Sequence, residues 1–136
     1  MTRFSKVFTV MFILLVVASC SGRSQPLYSG LLRPVPTIAQ TLDREEIGRV
    51  IQRAAVRRGW LVEPMGDNKV RITLNVRKHQ AIADITYSSK TFKTTYVKST
   101  NLNYDGKSIH TNYNRWVKNL EMDIEKELQV SGINPR

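Results

Sequence analysis

The hydrophobic positions of this chain change rhythm several times, and each rhythm predicts a different kind of structure. Residues 7–17 are apolar without a break except at Thr9. Residues 21–40 have no period and carry Pro26, Pro34 and Pro36 with Gly22 and Gly30. A helical spacing then sets in, with Ile47, Val50, Ile51, Ala54 and Ala55 on one face. Asp43 and Glu46 precede it in capping-box spacing, and Gly59 follows at a C-cap position, so a helix is predicted over 43–58.

The next segment alternates. Residues 60–65 form a short apolar run closed by Pro64 and the turn residues Gly66-Asp67-Asn68. Val70, Ile72, Leu74 and Val76 alternate with Arg71, Thr73, Asn75 and Arg77, the mark of a half-buried strand. Ala81, Ala83, Ile85 and Tyr87 alternate in the same way with Gln80, Ile82, Asp84 and Thr86. Beyond the turn Ser88-Ser89-Lys90, residues 91–100 are rich in Thr, Tyr and Val and read as another strand. Ile109, Tyr113, Trp116, Val117, Leu120, Ile124 and Leu128 then trace a helical stripe. It predicts a final helix from about Ser108, ended by Gly132 and Pro135. The expected fold is α+β: a two-layer sandwich of three to four antiparallel strands with both helices on one face, confined to residues 41–136.

Composition narrows the chemistry. The 136 residues suit one domain, and 41% hydrophobic with 24% charged residues is ordinary for a globular protein. Lys and Arg number 21 against 11 Asp and Glu, a formal charge of +10. One cysteine and two histidines leave no intrachain disulfide and no Cys/His zinc cluster, and no cofactor is expected. The chain contains no nucleophile-elbow, metalloprotease, phosphate-loop or calcium-loop motif, so no enzymatic activity is expected. A cell-wall hydrolase would have to draw on His110 or Asp84.

The first residues read as an address. Arg3 and Lys6 precede the apolar run, which would rise only about 16 Å as a helix, half of a bilayer's hydrocarbon core. That length fits a secretory signal rather than a transmembrane span. Val17-Ala18-Ser19-Cys20 resembles the lipobox of bacterial lipoproteins. The resemblance implies cleavage before Cys20, acylation of its sulfur and new amine, and an essentially permanent lipid anchor. Ser21 in place of aspartate implies sorting to the outer membrane. The domain is expected on the periplasmic side, with surface display the alternative. Removal of Arg3 and Lys6 takes the side-chain charge from +10 to +8. Residues 20–40 are read as the lipidated cysteine and a flexible tether, able to reach about 66 Å when extended. Leu27, Tyr28, Leu31 and Leu32 are its apolar exceptions, placed to dock on the domain or at the lipid surface.

Candidate binding residues fall in three groups. Arg49, Arg53 and Arg57 recur at four-residue spacing along the first helix, with Arg58 beside them. Arg71 and Arg77 are expected on one face of their strand, with Lys93 joining them and Asp84 as a surface partner. Asn101, Asn103, Tyr104 and His110 gather at a loop and helix start, where they could hold sugar or peptide backbone but also favour turns and caps. The domain resembles, in outline only, small envelope lipoproteins that pack two helices on an antiparallel sheet, some of them outer-membrane assembly components. The expected function is that of a non-catalytic, outer-membrane-anchored module for an envelope protein partner. The alternative is binding of an anionic envelope polymer, lipopolysaccharide or peptidoglycan, through the basic surface. Nucleic acid is not an expected partner.

Overall fold

The computed structural model describes residues 23–135. The signal and the lipobox with Cys20 lie outside the described residues. In chain order the elements are β1 (Ser24–Pro26), β2 (Leu32–Pro34), a 3-10 helix (Thr37–Thr41), α1 (Arg44–Arg57) and β3 (Leu61–Gly66). There follow β4 (Lys69–Val76), β5 (His79–Tyr87), β6 (Thr91–Thr100), β7 (Ser108–His110) and α2 (Thr111–Ile133). Strands β2-β6-β5-β4-β3 form a five-stranded antiparallel sheet, and β1 pairs with β7 in a separate two-stranded one. The fold is therefore α+β with two helices, and it has more strands than the three to four expected.

Local chemistry accounts for the elements that the pattern identified. The Asp43 carboxylate accepts from the Glu46 amide at 2.7 Å and caps α1. At its other end Gly59, at φ +84°, lets the Trp60 amide reach back to the Ala55 carbonyl and its own amide to Val56. That pair of bonds satisfies carbonyls the last turn would leave open. Asp67 and Asn68 both adopt positive φ, as a tight two-residue hairpin turn requires, and they join β3 to β4. In β6 the register slips between Tyr96 and Lys98, so Val97 bulges out and is exposed while Tyr96 keeps its place on the inner face.

The core lies between the inner sheet face and the helices. Val70, Ile72, Ala81, Ala83, Ile85 and Phe92 face Ile47, Val50, Ile51 and Ala54 of α1 in one buried cluster. Tyr113, Val117, Leu120, Ile124 and Leu128 bring the stripe of α2 into the same cluster. Trp116, expected on that stripe, is only partly buried.

Two expectations are overturned. Residues 24–40, expected as part of a flexible tether, pack on the domain instead. Pro26 and Pro34 end short edge strands, where a missing amide donor costs nothing. Val35 and Ala39 are fully buried, and Leu27 and Tyr28 dock on the core, whereas Leu31 and Leu32 stay exposed. The packed unit thus begins well before residue 41. The second helix starts at Thr111 rather than Ser108, because residues 108–110 pair with β1 and Ile109 is buried from a strand.

Gly132 does not end α2 but sits inside it, against the 3-10 helix. A methyl group there would lie 2.6 Å from the Ile38 carbonyl oxygen and 2.8 Å from the Ala39 nitrogen. Backbone cannot yield as a side-chain tip can. Gly132→Ala should therefore destabilise the protein by about 1–3 kcal/mol, despite alanine's better helix propensity. Urea titration of the variant checks this, and an unchanged or higher midpoint would show that the contact is slack.

Candidate functional site

Residues directly opposed across an antiparallel sheet point to the same side. The face turned away from the helices therefore carries Glu63, Arg71, Asp84 and Thr95 in one row, and Lys69, Thr86, Lys93 and Leu32 in another. Thr73 and Ile82 share a third row with Leu61, which is 63% exposed at the edge, and Leu32 is 67% exposed at the other edge. No element among the described residues covers this face. At its centre Arg71 grips Asp84 through two bonds, Nε to Oδ1 at 2.8 Å and Nη2 to Oδ2 at 3.0 Å. Lys93 makes no ion pair among the described residues.

Arg77 does not join this face. Strand β4 ends at Val76, and Arg77 stands in the two-residue turn before β5 with φ +55°. The alternation of the sequence continues one position further than the ladder does.

The arginines of α1 meet acids. Arg49 donates to Glu46 at 2.7 Å, and Arg53 lies 3.6 Å from the same carboxylate and 3.4 Å from Ser131 Oγ. Arg57 pairs with Glu127 and Arg58 with Asp123, both on α2. The stripe therefore fastens one helix to the other along a cleft lined by Leu42, Glu46, Arg53, Glu127 and Ser131.

The amide-rich loop likewise builds structure. Asn101 and Asn103 adopt positive φ, and Asn101 Nδ2 donates to the Lys78 carbonyl at 2.7 Å. The His79 Nδ1–H donates to the Asn101 carbonyl at 2.7 Å. Tyr104 lies on Tyr96, ring centres 4.4 Å apart, and Tyr96 meets Tyr113 edge-on at 5.3 Å. His110 caps α2, its Nδ1 accepting from the Asn112 amide at 3.1 Å. Asp105 accepts from the Ser108 and Lys107 amides, which hold its carboxyl below the usual carboxylate range.

A further polar centre escaped the sequence reading. Glu121 lies within the apolar stripe of α2, between Val117 and Ile124, and is 1% exposed. Tyr28 of the amino-terminal segment donates its hydroxyl to Glu121 Oε2 at 2.6 Å, and Arg33 Nε stands 3.9 Å from the same oxygen while binding Glu125 at 2.9 Å. Asn114 closes the join, accepting from the Tyr28 amide at 2.9 Å and donating to the Pro26 carbonyl at 2.8 Å. Glu121 Oε1, Thr94 Oγ1 and the Tyr113 hydroxyl are buried without a protein partner. Burial pushes the Glu121 carboxyl above its ordinary range, offset in part by the Tyr28 hydroxyl and by Arg33. The Tyr28 phenol is pushed up to about 12, first by burial and then by its bond to Glu121. The signal was present in the sequence: a carboxylate at a position where the stripe requires an apolar side chain.

No known protein family, curated protein or solved structure matches this chain.

The raised Glu121 carboxyl makes the folded protein bind a proton more tightly than the unfolded chain. Stability is therefore lost as pH rises from the unfolded glutamate value, about 4.3, through the raised folded value. Glu121→Gln removes this dependence and keeps an oxygen for Tyr28. Denaturation at a series of pH values should show the variant gaining on the wild type as pH rises toward neutrality. A difference that stays flat with pH would contradict the assignment.

Proposed function

We propose that this chain is a non-catalytic, lipid-anchored envelope module of the outer membrane, and that it docks a protein partner on the uncovered face of its five-stranded sheet. The observation that carries the reading is that face itself. It is broad and open, and between the exposed Leu32 and Leu61 it sets threonines, the Arg71–Asp84 pair with Glu63 opposite Arg71, and the lysines Lys69, Lys93 and Lys98. Interfaces between proteins that associate and separate have this mixed character. The face suits docking better than the edges do. The β6 edge is occupied by β2 and by Ser29 and Gly30, and the β3 edge carries Pro64 and a register break, both of which hinder strand addition.

The groups that acid–base chemistry would need are engaged elsewhere, which supports a binding role. Asp84 is held by Arg71, and the His110 Nδ1 lone pair is taken by the Asn112 amide. The alternative reading, an anionic polymer held by Arg71, Arg77 and Lys93, has less support. Arg71 already has its carboxylate and Arg77 stands off the face, which leaves only Lys93 of the three.

Photo-crosslinking residues placed at Thr73 and Thr95 in the full chain, expressed in its own envelope, test the proposal. Both positions should capture the same protein in salt-resistant, near-stoichiometric yield, while Gln52 on the outer side of α1 captures none. Equal capture from both sides, or none from the sheet, would refute it. Recovery of glycolipid instead, lost at high salt, would favour the polymer reading.

A further inference from the structure

The docked amino-terminal segment changes where the domain stands relative to its anchor. With residues 24–41 packed down, three peptide units separate Cys20 from Arg23, a reach of about 11 Å at most. The end of the molecule at which the chain enters is therefore held close to the headgroups. That end is defined by contacts: Ser24 is opposed to His110, the His110 amide bonds the Leu102 carbonyl, and the His110 ring lies 6.4 Å from that of His79 beside the β4–β5 turn.

The entry end is rich in cations, and Lys69 and Lys90 stand at the opposite turns. The entry end carries Arg23, Arg77, Lys78, Lys107, Arg115 and Lys118. Asp105 is the acid among them, and its carboxylate is turned to the loop's own amides. The first ten residues of α2 hold Arg115 and Lys118 and no acid, whereas Asp123, Glu125 and Glu127 lie in its later turns. At 1.5 Å per residue Glu125 is about 21 Å along the helix from Thr111. A reach of about 11 Å is comparable with the Debye length of about 8 Å at physiological ionic strength, so these cations feel an anionic surface beside them.

We infer that the basic entry end is a membrane-apposed surface that engages the anionic phosphates of the leaflet holding the anchor. Electrostatic contact of this kind fixes orientation: the long axis of the sheet stands away from the bilayer, and the open face is presented sideways to neighbours in the envelope. The inference rests on the lipid-anchor reading of Cys20, and its test separates the two.

The full lipidated chain is reconstituted in vesicles of phosphatidylcholine alone or with phosphatidylglycerol, and its lysines are labelled with an amine reagent and read by mass spectrometry. Lys78 and Lys107 report the entry end. Lys69 and Lys90, at the opposite turns, are internal controls. The expected result is several-fold slower labelling of Lys78 and Lys107 in the anionic vesicles, with Lys69 and Lys90 unchanged. That protection should be lost at high salt and in the Arg115→Glu, Lys118→Glu double variant, both positions being exposed on α2. Equal labelling of both ends in a chain whose mass carries acyl groups on Cys20 overturns the inference and leaves the anchor standing. A chain recovered from its envelope without acyl mass overturns the anchor, and the inference with it.

Discussion

A buried carboxylate controls the architecture. Glu121 sits on the face of α2 that packs into the core, where an ionised or half-ionised carboxyl without a partner would cost several kcal/mol. Its donor, the Tyr28 hydroxyl, comes from 93 residues earlier in the chain, and the nearby Arg33 comes from the same segment. The segment that brings them also covers the edge of β6, buries Val35 and Ala39, and fits the 3-10 helix against Gly132. Hydrophobic burial gives that segment its affinity for the domain, while the Glu121 bond sets its register.

The same device distributes charge. Acids in the later turns of α2 are matched by Arg33, Arg57 and Arg58 from other elements, so that half of the helix is close to neutral. The cations of the early turns meet no acid: Arg115 donates to Asn112, and the Lys118 ammonium lies over the Tyr28 ring. Arg33, Arg49, Arg53, Arg57, Arg58 and Arg71 are thus tied to acids, whereas the entry-end cations, with Lys69, Lys90, Lys93 and Lys98 of the sheet, make no ion pair among the described residues. The arginine stripe of α1, taken alone, suggests a polyanion site, but Arg49 and Arg53 meet Glu46 of their own helix, and Arg57 and Arg58 meet acids of α2 and clamp the two helices together.

The elements legible in the sequence are those decided locally. The Asp43 cap, the Gly59 terminus, the Asp67-Asn68 turn and the alternations of β4 and β5 depend on neighbours within a few positions, and each is found where the pattern put it. The Arg71–Asp84 pair was legible for the same reason, as a cross-strand neighbour in one hairpin. Strands β1, β2 and β7 were not. Each is three residues long, carries no period, and exists only because a distant partner offers an edge. Prolines at 26 and 34 argued against structure, although at the end of an edge strand they are harmless. Among the candidate site residues, Asn101, Asn103 and His110 proved to build turns and a cap, and Arg77 fell one residue past its ladder.

The role of Glu121 depends on residues 24–41 belonging to the folded body. Amide hydrogen exchange on the full chain measures this directly. The Leu27, Gly30 and Val35 amides donate to carbonyls of Lys107, Thr94 and Lys90. Docking therefore predicts that they exchange as slowly as neighbouring amides of β6 and open with them. Exchange of these three at the rate of an unstructured peptide, while the sheet stays protected, would return the segment to a tether and contradict the role assigned to Glu121.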